Sequence, residues 1–183
     1  MGAGPIHRHD VIRDALFECC NMAGISASKE VAGYQSGQKD RVGDVVLNTF
    51  DHGREMLVDV TCWSPLYLPR IQHSAVSSKY TVNEAHSFKL KSRNTNPEGK
   101  IKTSKGMLAF MPFACDTFGG SSSEAMGLMR SIAQEMSLKQ NNSQAFCLSR
   151  IYSRVSVAVQ QGNSFCIINK LIDMKVYYDN SIN

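Results

Sequence analysis

Two aspartates stand where carboxylate chemistry is useful. Asp59 interrupts the run Leu57-Val58-Asp59-Val60-Thr61, which is otherwise apolar or β-branched. Asp44 follows Gly43 and precedes the apolar run Val45-Val46-Leu47. Between the two runs, Asp51-His52-Gly53 has the composition of a tight turn, so residues 41–63 read as a β-hairpin. With Asp51 and His52 as the two loop residues, Phe50 faces Gly53, and counting outward sets Asp44 opposite Asp59. Opposed residues share a sheet face, with Cβ atoms about 4.5–5.5 Å apart. Two carboxylates so placed repel, and each resists ionising. A divalent cation removes the conflict, because Mg²⁺ takes carboxylate oxygens at about 2.0–2.1 Å and fills its octahedron with water and phosphate oxygens. A slip of one residue would send one aspartate to the other face. Simpler roles remain open: Asp59 on an edge strand facing water, Asp59 paired to a lysine, or Gly43-Asp44 as a turn entry.

Other metal-capable groups are sparse. His7-x-His9 can bind a metal, but reads more simply as a polar N-terminal tail. The six cysteines form no CxxC pair; Cys19 and Cys20 are adjacent, and Cys62, Cys115, Cys147 and Cys166 lie far apart. A zinc knuckle is not expected. Residues 1–10 lack the apolar core of a signal peptide and no run is long enough to span a membrane. A nuclear or cytoplasmic setting with free thiols is therefore expected, and Asn141-Asn142-Ser143 would go unglycosylated there. Apolar residues at 43% and charged residues at 20% argue against whole-chain disorder. The net charge of +4, with pI near 8.7, is compatible with nucleic-acid binding without requiring it.

The elements that must position these residues follow from periodicity. Ile12, Leu16, Cys19 and Ala23 fall at helical spacing over 8–23, and Gly24 is a stop signal. A weak first strand is expected within 25–35. Pro65 and Pro69 end the second hairpin strand, and 70–92 is expected to be helical in part, from Val82 to Ser92. Residues 93–106, polar with Pro and Gly, read as a flexible basic loop. The run 107–115 suits a buried strand. Ser121-x-x-Glu124 reads as a capping box opening a helix with Ala125, Met129, Ile132 and Met136 on one face. A long helix follows over 144–170, with Gly162 marking close packing or a break. The tail 171–183 is expected to add an edge strand near 175–178. The whole is expected to be one α/β domain over 1–183, a mixed sheet flanked by helices.

Several of these residues occur together in one order: Glu30, then Arg41 to Asp44, then Asp59-Val60-Thr61-Cys62, then Lys89 and Lys91. Asp116-Thr117-Phe118-Gly119 and Ser156-Val157-Ala158-Val159-Gln160-Gln161-Gly162-Asn163 follow. This order, running from about residue 8 to 170, resembles the PD-(D/E)xK, or restriction-endonuclease-like, nuclease core. The resemblance is closer to one branch of it, the nuclease-like domains found with reverse transcriptases and other mobile elements of eukaryotes. The resemblance implies a metal-dependent endonuclease with Asp44, Asp59 and the backbone carbonyl of Val60 as Mg²⁺ or Mn²⁺ ligands. Glu30 would add a carboxylate, directly or through water. The alternative implied by the same fold is a non-cleaving nucleic-acid-binding module.

The sequence departs from that pattern in two places. The lysine expected after the second acidic residue is replaced by Thr61, and its role is expected to pass to Lys89, with Lys91 and Lys79 as alternatives. Asp116 stands where a glutamate belongs, either as a third acidic site residue or as a loop cap. Gln160 and Asn163 are candidates for phosphate contact or for satisfying neighbouring carbonyls. Arg41, Arg54, Lys91, Arg93 and Lys102 are the expected nucleic-acid contacts, through phosphate. Trp63 and Tyr67 offer stacking or wedging surfaces, or core. The expected substrate is double-stranded DNA, cut by an enzyme of mobile-element or homing type. A homodimer is expected, because one such site cuts one strand.

Overall fold

In this computed structural model the described residues are 3–29, 43–50, 53–103 and 106–181. Helix α1 (Ala3–Ala23) begins earlier than its apolar pattern suggests. It buries Ile12, Leu16, Cys19 and Ala23. It stops at Gly24, whose φ of +77° is open to glycine at little cost. Strand β1 (Ala27–Lys29) is short. The hairpin then forms from β2 (Val45–Phe50) and β3 (Arg54–Trp63). Val45 pairs with Val58, Val46 with Leu57 and Leu47 with Met56, the register expected from the apolar runs. The pairing shifts by one between Leu47 and Phe50, so that Phe50 faces Arg54 rather than Gly53.

Residues 70–92 contribute to two helices, α2 (Leu68–Val76) and α3 (Tyr80–Ser92). Pro69 lies in the first turn of α2, where its missing N–H is harmless. The expected loop at 93–106 is instead partly strand: β4 (Lys100–Thr103) pairs antiparallel with β5 (Gly106–Asp116). A short lysine-bearing strand at a sheet edge has little apolar pattern to betray it. Helix α4 (Ser123–Gln140) is capped by Ser122, whose Oγ accepts from Ala125 N at 3.2 Å. The cap is thus one residue beyond the expected Ser121. Helix α5 (Gln144–Ser181) runs without interruption through Gly162. The edge strand expected near 175–178 is therefore helix, since no breaker intervenes. Gly162 marks close packing, because a Cβ there would meet Arg8 at about 2.5 Å.

The sheet order is β1-β2-β3-β5-β4, with β3 and β5 parallel and the other neighbours antiparallel. The protein is thus α/β, a mixed sheet with helices around it. One face, carrying Val45, Leu47, Met56, Val58, Val60 and Phe113, packs under α1, α4 and α5 as the main core. The other face carries a smaller cluster of Val46, Leu57, Ile101 and Phe110, with Leu90 of α3 against it. All six cysteines are free thiols. Among the described residues, no helix is long and apolar enough to cross a membrane.

Candidate metal centre

Alternation along β3 decides what Asp59 faces. Met56, Val58 and Val60 belong to the main core, so Leu57, Asp59 and Thr61 turn to the thinner side beneath α3. Asp59 is 2% exposed there. A buried carboxylate needs partners, and α3 supplies them: Lys89 Nζ donates to Asp59 Oδ1 at 2.8 Å and Arg93 Nε donates to Oδ2 at 3.2 Å. Lys89 and Arg93 are one helical turn apart and share a face.

Asp44 stands just before β2. Its backbone N–H donates to the Val58 carbonyl at 2.9 Å, continuing the ladder by one bond. Its carboxylate then replaces the next main-chain acceptor: Val60 N donates to Asp44 Oδ2 at 2.6 Å. The N–H and C=O of one strand residue point to the same side, so the Val60 carbonyl faces the edge that Asp44 occupies. His9, on α1, completes the group, with Nε2 3.0 Å from Asp44 Oδ2 and Nδ1 3.2 Å from Asp10 Oδ1. Arg13 in turn donates to Asp10 Oδ1 at 3.0 Å. One ligand atom from each of His9, Asp44 and Asp59 lies within 4.8 Å of the other two.

The electrostatics are those of a coupled acid pair. Burial raises the Asp59 pKa, and the negative charge of Asp44 adds to it. Lys89 pulls the other way without cancelling them, so Asp59 sits above the usual carboxylate range. Burial also opposes ionisation of Asp44, but the bond and charge of His9, a bond from Asp59 and the Val60 N–H together hold its pKa low. Burial alone would lower the pKa of His9; its bonds to Asp44 and Asp10 raise it instead. The donor set of two carboxylates and one imidazole suits Mn²⁺ well and Mg²⁺ less closely, because imidazole favours the softer ion.

The expected site residues divide as follows. Asp44, Asp59, the Val60 backbone and Lys89 come together, and Arg93 joins them as a partner of Asp59 rather than a peripheral contact. Thr61 is buried on the Asp59 face, and the cation comes from α3. Glu30 and Arg41 lie outside the described residues. Lys91 is exposed two positions from Lys89, hence turned away from Asp59. Lys79 precedes α3, about 15 Å along the helix axis from Lys89. Arg54 is five residues from Asp59 along β3, about 16 Å. Lys102 pairs with Met107, whereas Asp59 pairs with Pro112, so Lys102 is remote as well. These four cations do not join the site.

Asp116 is a loop cap: its Oδ1 accepts from Phe118 N and Gly120 N at 2.8 and 2.9 Å. Asn163 donates to the Thr117 carbonyl at 2.7 Å and so ties α5 to that loop, while Gln160 is exposed. His9 lies in α1, within the helix expected over 8–23 rather than in a tail, and His7, two residues away, meets Phe165 with ring centroids 4.0 Å apart and planes tilted by 39°. The two histidines therefore do not act as a pair. The local sequence carries no sign that His9 meets Asp44, because that contact depends on how α1 lies across the sheet. Comparison with protein-family models and with curated proteins gives no match.

Proposed function

We propose that this protein is a metal-dependent endonuclease that hydrolyses phosphodiester bonds of DNA, of the mobile-element or homing type. The observation that carries the reading is the convergence of His9, Asp44 and Asp59 ligand atoms within 4.8 Å, with a lysine 2.8 Å from Asp59. The ordered resemblance to the PD-(D/E)xK nucleases supports it, and so does the position of Asp44 just before β2 and of Asp59 on the adjacent strand β3.

Asp44, Asp59, His9 and the Val60 carbonyl would hold Mn²⁺ or Mg²⁺. When bound, the cation polarises a phosphoryl oxygen and makes water a usable nucleophile near neutral pH. Lys89 and Arg93 release part of their hold on Asp59 when it ligates, and their charge is then free to offset negative charge on the phosphate. Asp10 orients His9 through Nδ1, which leaves Nε2 for the ligand side. Double-stranded DNA is the proposed substrate, with two copies of the chain needed to cut both strands.

The test is plasmid cleavage by the purified protein with Mn²⁺, with Mg²⁺ and with chelator. Metal-dependent nicking that vanishes in Asp44→Ala and Asp59→Ala supports the reading; undiminished nicking by both variants overturns it. One observation favours a second reading, a non-cleaving nucleic-acid-binding module. Asp59 is already satisfied by Lys89 and Arg93, so the cluster is complete as an ion-pair network. That module would bind nucleic acid equally well as Asp59→Ala and would show no heat of binding on titration with Mn²⁺.

A further inference from the structure

Beside the carboxylate site, four planar groups touch in sequence, the first two with their ring planes tilted by 51°. Phe88 and Trp63 lie with ring centroids 5.4 Å apart. The Arg70 guanidinium sits 3.9 Å from the Trp63 ring centroid and 4.9 Å from that of Tyr67. Arg70 is fixed by Glu84, which accepts from its Nε at 2.6 Å. The two end rings are open to solvent: Phe88 is 54% exposed and Tyr67 55%. An aromatic kept for the core would be covered. Helix α2, which carries Arg70, buries none of its residues.

The surroundings are cationic. Residues 64–93 hold five lysines and arginines and one glutamate. With Asp59, on which Lys89 and Arg93 lie, five cations face two carboxylates, a net charge of +3. Phe88 immediately precedes Lys89, whose ammonium lies on Asp59. Stacking surface and phosphate-seeking charge therefore occupy consecutive positions of α3. Trp63 lies four residues beyond Asp59 on β3 and on the same face, about 13 Å away.

We infer that the cluster of Phe88, Trp63, Arg70 and Tyr67 is a platform for unpaired bases of the strand whose phosphate lies at Lys89 and Arg93. The inference rests on the phosphate-site reading above for the path of the strand. In an intact duplex the base faces are hidden and only edges and backbone are offered. Exposed aromatic faces in a basic setting match bases that have left the stack. The substrate is then the proposed duplex opened at the cleavage point, and a single-stranded oligonucleotide stands in for its unpaired strand.

The chain's one tryptophan is the reporter. Metal-free protein is titrated with an oligothymidylate and, separately, with a fully paired hairpin, following Trp63 fluorescence. We expect the single strand to quench Trp63 and to bind at least about tenfold more tightly than the hairpin at equal salt. Phe88→Ala is expected to weaken single-strand binding about tenfold, within the range for loss of one base–aromatic stack. Unchanged Trp63 emission overturns the platform, as do equal affinity for the hairpin and an unaffected Phe88→Ala. Concentration-dependent dimerisation abolished by Phe88→Ala, without an effect of oligonucleotide on Trp63, overturns it in favour of a subunit interface. Mn²⁺-dependent cleavage of the same oligonucleotides separates this inference from the endonuclease reading. Cleavage without quenching removes the platform alone, and quenching without cleavage removes the endonuclease reading alone.

Discussion

The two faces of the sheet solve different problems. The face under α1, α4 and α5 is closed by apolar side chains such as Leu16, Leu47, Phe113, Ile132 and Ile151, all fully buried. The face under α3 has a small apolar cluster and places a buried carboxylate beside it. Apolar contact on the first face is non-directional and stabilising in proportion to area. On the second face Asp59 is held by a lysine and an arginine reaching down from α3 and by its bond to Asp44. Such a pair of ions gains little net stability over an apolar replacement. Apolar contact and buried charge are thus segregated: one strand, β3, contributes alternate residues to each.

The largest expected effect lies on the thin face. Asp59→Ala and Asp44→Ala should each lower metal-dependent cleavage by on the order of a thousandfold, several kcal/mol of barrier. Circular dichroism melts should show both variants still folded. A variant that loses cleavage only because it unfolds would erase the distinction between the faces. On the thick face, Ile132→Ala should lower unfolding free energy by about 3 kcal/mol in urea titrations. Cleavage per folded molecule should be retained.

A smaller effect sharpens the role of the junction between faces. His9→Ala should weaken Mn²⁺ binding about tenfold by calorimetric titration, at the low end for losing a group that supports a metal site. Equal affinity in the variant would remove His9 from the ligand set. In the metal-free protein His9 titrates above the ordinary histidine value, because its bonds to Asp44 and Asp10 outweigh its burial. The stability it contributes is therefore fully present below about pH 6.5, the unfolded value, and fades as pH rises through the higher folded value. An NMR titration should find its pKa lowered in Asp44→Asn, and no change would show that Asp44 does not govern it. The smallest effects belong to solvated cations. Lys91→Ala and Lys102→Ala should shift stability by no more than about 0.5 kcal/mol, and Lys91→Ala should leave Mn²⁺ affinity unchanged where Lys89→Met alters it.

The hairpin was legible because both of its strands carry apolar runs and a polar turn separates them. Only one register buries Val45, Leu47, Met56 and Val58 together. Lys89 was one of three candidate lysines in the sequence, and only the packing of α3 against β3 singles it out by setting its ammonium on Asp59. Strand β4 was not, since Lys100-Ile101-Lys102-Thr103 has a single buried apolar residue and takes its conformation from β5. The end of α5 reads as strand from Val176-Tyr177-Tyr178, yet the helix simply propagates into it once begun. His9 was set aside as tail because its partner lies 35 positions away. Contacts of that kind are fixed by packing rather than by local sequence.

The parallel pairing of β3 with β5 also bears on how the chain assembles. Val45 and Val58 pair across 13 positions, whereas Asp59 and Pro112 pair across 53. Closing the longer loop costs about 1.2 kcal/mol more entropy, and the crossover through α3 must be laid down first. Lys89 and Arg93 lie on that crossover, 30 and 34 positions from Asp59, so the segment that must be ordered before β5 can pair is also the one that neutralises the buried acid.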